Sequence, residues 1–182
     1  MRLFIAVNFS EEMKDELCAG VRRLQAGALK GNFTHRENLH LTLAFLGETV
    51  KLDAVKQAMG GVNAEPFLLS VGGLGKFQRD GGDIFWLGVE KSEALHSVYT
   101  HLWSELSKAG FTPEARAFRP HLTLGREVVM KEDFQIREFD KAIAPMQMNV
   151  TKLSLMKSER LLGKLTYTEV YFRQLTGNGE PT

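Results

Sequence analysis

His40-Leu41-Thr42-Leu43 recurs as His121-Leu122-Thr123-Leu124, 81 residues further along the chain. The same interval pairs Phe4 with Phe85, Glu12 with Glu93, Leu74 with Leu155, Lys76 with Lys157, Arg79 with Arg160 and Gly82 with Gly163. A single register carried through strand, helix, tetrapeptide and turn is the mark of an internal duplication. The expected fold is therefore α+β and bilobal, with pseudo-two-fold symmetry. Antiparallel sheets are expected to line a central cleft, with helices on the outside. Residues 1–174 are expected to form this one domain and residues 175–182 a disordered tail.

Outward from the repeated block, Leu3–Val7 reads as a buried strand. Ser10 then caps a helix whose apolar positions Met13, Leu17, Val21 and Leu24 keep helical spacing. Gly27 and Gly31 close that helix, and a polar loop over Asn32–Asn38 leads to a strand over Leu39–Phe45, ending at Gly47. A short helix is expected at Leu52–Met59. Strands are expected at Phe67–Val71 and Ile84–Val89, around a glycine-rich basic turn over Gly72–Asp83. A second long helix runs from Ser92 to Lys108 and is closed by Gly110. After a loop, His121–Gly125 is a strand, followed by a short helix near Lys131–Ala142. One strand over Met146–Met156 and a last one over Leu165–Phe172 complete the pattern.

The 182 residues suit one domain, and 23 basic against 22 acidic residues leave a net charge of +1. That balance argues against a surface built mainly to neutralise a phosphate backbone, though not against a local basic cleft. The one cysteine, Cys18, excludes an internal disulfide framework and a cysteine-rich zinc site, and reads as structural. The apolar start Met1–Val7 is too short for a signal peptide, and no run approaches the roughly 20 residues that span a bilayer. A cytoplasmic monomer without membrane contact is the expectation.

On a strand, His40 and Thr42 share one face, as do His121 and Thr123, while the leucines face the core. If the lobes face each other, two imidazoles and two hydroxyls converge on one cleft. Two histidines suit displacement at phosphorus, where one takes a proton from the attacking oxygen and the other gives one to the leaving oxygen. Threonine hydroxyls can hold the non-bridging oxygens. A metal site needs a third ligand, and neither block supplies a carboxylate or thiol at the facing positions. No cofactor is expected, and no nucleotide-binding glycine motif is present.

His40-Leu-Thr-Leu-Ala-Phe-Leu-Gly47 and Arg119-Pro-His-Leu-Thr-Leu-Gly-Arg126 resemble the paired signatures of the 2H phosphoesterase superfamily. The similarity is greatest to the RNA 2′,3′-cyclic phosphodiesterases, also called 2′-5′ RNA ligases, and runs from Met1 to Phe172. It implies hydrolysis of 2′,3′-cyclic phosphate ends of RNA or oligonucleotides to 2′-phosphates, without metal, and the reverse 2′-5′ joining. Carried onto this chain, His40 is the proton donor and His121 the proton acceptor. Thr42 and Thr123 bind phosphoryl oxygens, Phe45 lines the nucleotide pocket and Arg126 contacts phosphate. The alternatives are a 2′,5′-oligonucleotide phosphodiesterase, or a nucleotide- or RNA-binding module with little turnover.

Regular strands conflict with two of these assignments. Phe45 has the parity of Leu41 and Leu43, and Arg126 that of Leu122 and Leu124, so both would face the core. Gly47 and Gly125 permit a strand end or bulge that re-aims them. Lys76, Arg79, Lys157 and Arg160 occupy matching turns, where contact with an RNA backbone competes with simple solvation. His35, His96 and His101 are expected at the surface.

Overall fold

The computed structural model describes residues 1–115 and 117–177. In chain order its elements are β1 (Arg2–Asn8), α1 (Glu11–Ala26), β2 (Ala28–Phe33), β3 (His40–Glu48), α2 (Leu52–Gly60), β4 (Phe67–Phe77) and β5 (Asp83–Val89). There follow α3 (Glu93–Lys108), β6 (His121–Met130), α4 (Ile136–Ala142), β7 (Met146–Val150), β8 (Lys152–Leu161) and β9 (Lys164–Gln174). One sheet has the order β3-β1-β8-β9 and the other β2-β6-β5-β4-β7. All pairings are antiparallel. The triplets β3-β1-β8 and β6-β5-β4 hold equivalent places, as an α+β fold with two similar halves requires.

Each sheet buries one face in a common core. Leu3, Ile5, Val7, Leu41 and Leu43 from the first sheet join Phe85, Leu87, Leu122 and Leu124 from the second, with Leu17, Leu24, Val98 and Leu102 from the helices. Each such fully buried side chain contributes about 1.5–3 kcal/mol. Helix ends follow their sequence signals. Ser10 Oγ accepts the Met13 N–H and Ser92 Oγ accepts the Leu95 N–H. At the end of α3, Phe111 N–H reaches Leu106 O and Gly110 N–H reaches Ser107 O, both at 3.0 Å. Gly110 takes a φ of +81° there, which glycine adopts without steric penalty. No helix among the described residues is long and apolar enough to cross a membrane.

Several elements differ from the sequence expectation, each for a local reason. Residues 28–33, read as a helix end and loop, form β2, an irregular edge strand on β6. Its sequence Ala-Leu-Lys-Gly-Asn-Phe lacks the alternation that marks a strand. Gly72–Asp83 is not all turn, since β4 continues to Phe77. Gly73, with φ +79°, sits at a bulge, and a Cβ on Gly75 would lie 2.2 Å from the Trp86 ring. These glycines mark a bulge and a close approach rather than a chain reversal. Met146–Met156 is two strands, because at Thr151 the chain leaves β4 for β1 and so changes sheets.

The pairing of Phe4 with Phe85 is also corrected. Lys76 lies opposite Phe85 and Lys157 opposite Leu3, so Leu3 holds the place of Phe85. Phe85 belongs to the core, whereas Phe4 packs with Ala6 and Met156 on the opposite face. At the C-terminus Leu175 is buried and donates to Thr151 O at 2.8 Å, and Gly177 donates to Ala64 O at 3.0 Å. The rest of the expected tail, 178–182, lies outside the described residues.

Candidate active site

Two bulges resolve the parity conflict at Phe45 and Arg126. On β3, Thr42 lies opposite Ala6 but Ala44 lies opposite Ile5, so β3 holds one residue more than β1 there. Leu43 and Ala44 are consequently both buried, and Phe45 emerges on the face of His40. Its ring centroid is 6.3 Å from Phe4, which is 4.8 Å from His40. On β6, Thr123 lies opposite Trp86 and Gly125 opposite Phe85, again one residue too many. Leu124 and Gly125 both turn inward, and Arg126 emerges exposed. Glu127, at φ +54°, is a further extra residue that returns Val128 to the core. The first bulge on each strand therefore falls at 43–44 and 124–125, which matches the expected position at Gly125 and precedes Gly47.

Each bulge leaves a carbonyl that needs a donor. Trp103 Nε1 on α3 supplies one to Leu43 O at 3.3 Å. Thr34 supplies its backbone N–H to Leu124 O at 2.9 Å and its hydroxyl to Thr123 O at 2.8 Å.

The two histidines are held alike. His40 Nδ1 is 2.7 Å from Asn38 O, and His121 Nδ1 is 2.7 Å from Arg119 O. A carbonyl only accepts, so Nδ1 carries the proton in each neutral ring and Nε2 keeps its lone pair. His40 Nε2 is 3.0 Å from Thr42 Oγ1. Burial pushes His40 down to about 4, with the bond to Asn38 opposing. Each imidazole also meets two aromatic rings. Phe4 and Tyr167 stand 4.8 and 5.2 Å from His40, and Phe77 and Trp86 stand 5.6 and 6.1 Å from His121.

β3 and β6 touch at the junction of the sheets, bringing the two histidine-bearing strands together. Arg126 on β6 and Arg2 on β1 both act electrostatically on the Tyr167 hydroxyl of β9. The non-core faces of the two sheets thus look into one groove. Burial outweighs both cations and raises Tyr167, keeping it a phenol and a donor. Below His40, Asn8 is its cross-strand neighbour. Burial pushes the nearby Glu169 carboxyl up, but hydrogen bonds from Ser154, Lys152 and Asn8 together bring it below the usual range. Ser154 Oγ is 2.5 Å and Lys152 Nζ 3.0 Å from Glu169.

The turn cations are engaged locally. Lys76 pairs with Asp83 at 2.6 Å, Lys157 with Glu159 at 2.7 Å, and Arg79 and Arg160 donate to Gln78 O and Gly163 O. His35, His96 and His101 are exposed, and Cys18 packs at the edge of the core. Among the described residues no three metal-ligating side chains converge. Cavities lie along Glu169–Phe172 and between α1 and 142–146, and neither is lined by the histidines. Phe77, Trp86 and Tyr167 were not singled out from the sequence, and Phe4 was read only as the repeat partner of Phe85. In β1 and β5 a cleft-facing aromatic is indistinguishable from its core-facing neighbours, because both faces are apolar.

The pattern of the 2′-5′ RNA ligase superfamily matches residues 13–161. The RNA 2′,3′-cyclic phosphodiesterase of Thermotoga maritima is 31% identical over 182 residues, covering 97% of each chain. That of Methanothermobacter thermautotrophicus is 31% identical over 180 residues, 93% of this chain and 96% of its own. The crystal structure of Escherichia coli LigT complexed with 3′-AMP superposes with a TM-score of 0.80 at 27% identity, covering 96% of this chain and 98% of that one. With the family pattern spanning most of the chain and the fold superposing over nearly all of it, the protein belongs to the 2′-5′ RNA ligase superfamily of 2H phosphoesterases.

Proposed function

We propose that this protein hydrolyses 2′,3′-cyclic phosphate ends of RNA or oligonucleotides to 2′-phosphates, using two histidines and no metal. One observation carries the reading. Both imidazoles have Nδ1 fixed by the carbonyl two residues before, and a threonine hydroxyl two residues after on the same strand. This leaves two Nε2 atoms for proton transfer, one on each facing sheet. The names of the relatives from Thermotoga maritima and Methanothermobacter thermautotrophicus support the substrate class.

In this mechanism a water oxygen bonds to phosphorus as the P–O3′ bond breaks. His121 Nε2 takes the water proton, and the protonated His40 Nε2 gives its proton to O3′. The products are a 2′-phosphate and a 3′-hydroxyl, and exchange with solvent resets both rings. Each proton transfer is worth about 10²–10⁴ in rate. Thr42, Thr123 and Arg126 hold the phosphoryl oxygens, and Phe45 offers its exposed ring to the nucleoside. The buried His40 is neutral in the free protein, and the anionic phosphate favours its protonation when substrate enters. With a 5′-hydroxyl in place of water, the same ring opening joins two ends by a 2′-5′ linkage and frees the 3′-hydroxyl.

The test is ³¹P NMR with a 2′,3′-cyclic-phosphate oligonucleotide in excess EDTA, for wild type, His40→Ala and His121→Ala. Conversion to the 2′-phosphate by wild type alone is expected. A folded wild type that leaves the cyclic phosphate intact would overturn the reading. Cleavage of 2′,5′ linkages instead would identify the alternative phosphodiesterase. Tight binding without turnover would identify a binding module.

A further inference from the structure

The turn that precedes His40 is fastened to the far edge of its own sheet. β3 and β9 are the two edges of the first sheet, so a contact from residues 36–38 to β9 closes that sheet on itself. Asn38 Nδ2 donates to Leu165 O at 3.3 Å, and Lys164 Nζ pairs with Glu37 at 2.5 Å. The ion pair is exposed at both ends and adds little in water. The amide is shielded, since Asn38 Oδ1 is buried with no hydrogen-bond partner among the described residues. A half-satisfied amide is costly to bury, so what keeps it in place is the bond from its nitrogen.

Asn38 governs two of the contacts that orient His40. Its backbone carbonyl sits 2.7 Å from Nδ1. Its side chain grips the start of β9, where Tyr167, two residues past Leu165, sets its ring edge-on to the imidazole at 5.2 Å. A 3₁₀ turn of three residues, Arg36–Asn38, has little internal hydrogen bonding of its own to fix its last carbonyl. At the matching point of the repeat, 81 residues on, stands Arg119, whose side chain is exposed and makes no hydrogen bond among the described residues. The side-chain tether therefore belongs to the His40 half alone. We propose that Asn38 is a positioning residue for His40. By tying β9 to the turn that ends in its own carbonyl, it keeps the proton of the neutral ring on Nδ1 and aims Nε2 into the groove. This rests on the reading of His40 as the proton donor and adds the residue that aims it.

The experiment uses three variants, with folding checked by thermal denaturation. Asn38→Leu keeps the bulk and removes the donor, Asn38→Ala removes both, and Lys164→Gln breaks only the exposed pair. kcat and KM are measured on a 2′,3′-cyclic-phosphate oligonucleotide, and ¹⁵N NMR of the free protein reads the tautomer of each neutral imidazole. In both Asn38 variants kcat is expected to fall by roughly ten- to a hundredfold, the cost of a misaimed catalytic group, with KM little changed. His40 becomes a mixture of Nδ1–H and Nε2–H forms while His121 stays Nδ1–H, and Lys164→Gln matches wild type in every readout. Folded Asn38 variants with unchanged kcat and an unchanged His40 tautomer overturn the role. An equal change at His121 would mean general loosening, and failure of both Asn38 variants to fold would make Asn38 a residue of the fold. Either result overturns it too. A wild type that turns over no substrate is instead the failure of the phosphodiesterase reading, and the tautomers then still decide whether Asn38 holds His40.

Discussion

The indole Nε1 of Trp103 donates to the carbonyl of Leu43 at 3.3 Å, at the point where β3 bulges and Phe45 is turned out of the core. A helix thus holds the irregularity that shapes the groove. Trp103→Phe keeps most of the buried ring and removes the donor, leaving a buried carbonyl unpaired. The expected loss of stability is about 1–3 kcal/mol, read from urea denaturation. If Phe45 supports the nucleoside, KM rises more than kcat falls. Unchanged stability would show that water or a relaxed bulge satisfies Leu43.

Gly75 tests the other half of the site. A Cβ there would lie 2.2 Å from the Trp86 ring, which flanks His121 at 6.1 Å. The ring is wide and lies between β4 and His121, so it must move rather than bend aside. Gly75→Ala is expected to destabilise by about 1–3 kcal/mol, as overpacking does. A change in Trp86 fluorescence in a Trp103→Phe background, with lower kcat, would accompany it. An unaltered spectrum would place the strain elsewhere.

Which parts of this could be read from the sequence follows from where physical signals are local. The His-x-Thr faces were legible because alternation within a strand needs no knowledge of its neighbours. Phe45 and Arg126 were not, since a bulge is defined by the partner strand, and nothing in Leu43-Ala44 announces one. Gly125 hinted at the second bulge only because a residue without a side chain fits against Phe33 and Val128. The slip between Phe4 and Phe85 was hidden for the same reason, since both strands are apolar on both faces. Thr151, where the chain changes sheets, interrupts an otherwise continuous strand-like run by a single residue.

His40 makes a pH-dependent contribution whose sign is fixed by its environment. Its value is about 4 in the fold, against 6.5 for an exposed imidazole. Between these values the unfolded chain binds a proton that the folded one does not. The contribution is therefore complete above about pH 6.5 and is lost as pH falls toward about 4. His40→Gln is expected to show a shallower loss of stability over that window than wild type, in urea titrations at matched pH. Parallel curves would show that His40 titrates normally. NMR of the free protein should find the proton of the neutral ring on Nδ1, and a bound nucleoside 2′-phosphate should move the titration upward.

Strain at the β8–β9 hairpin offers a prediction independent of catalysis. Leu161 pairs with Lys164, so Leu162 and Gly163 form a two-residue loop, with φ of +50° and +81°. Tight hairpins favour positive φ at both positions, and Asn-Gly or Gly-Gly suits them. Leu162 is fully exposed and so gains no burial in return. A left-handed conformation costs an ordinary residue about 1–2 kcal/mol. Leu162→Gly removes that cost against about 0.5–1 kcal/mol of added chain entropy, and Leu162→Asn removes part of it without the entropic loss. Both variants are expected to raise the midpoint of thermal unfolding, by about 2–4 °C for each kcal/mol gained. A lower midpoint in both would mean that the leucine side chain has a packing role which its exposure does not show.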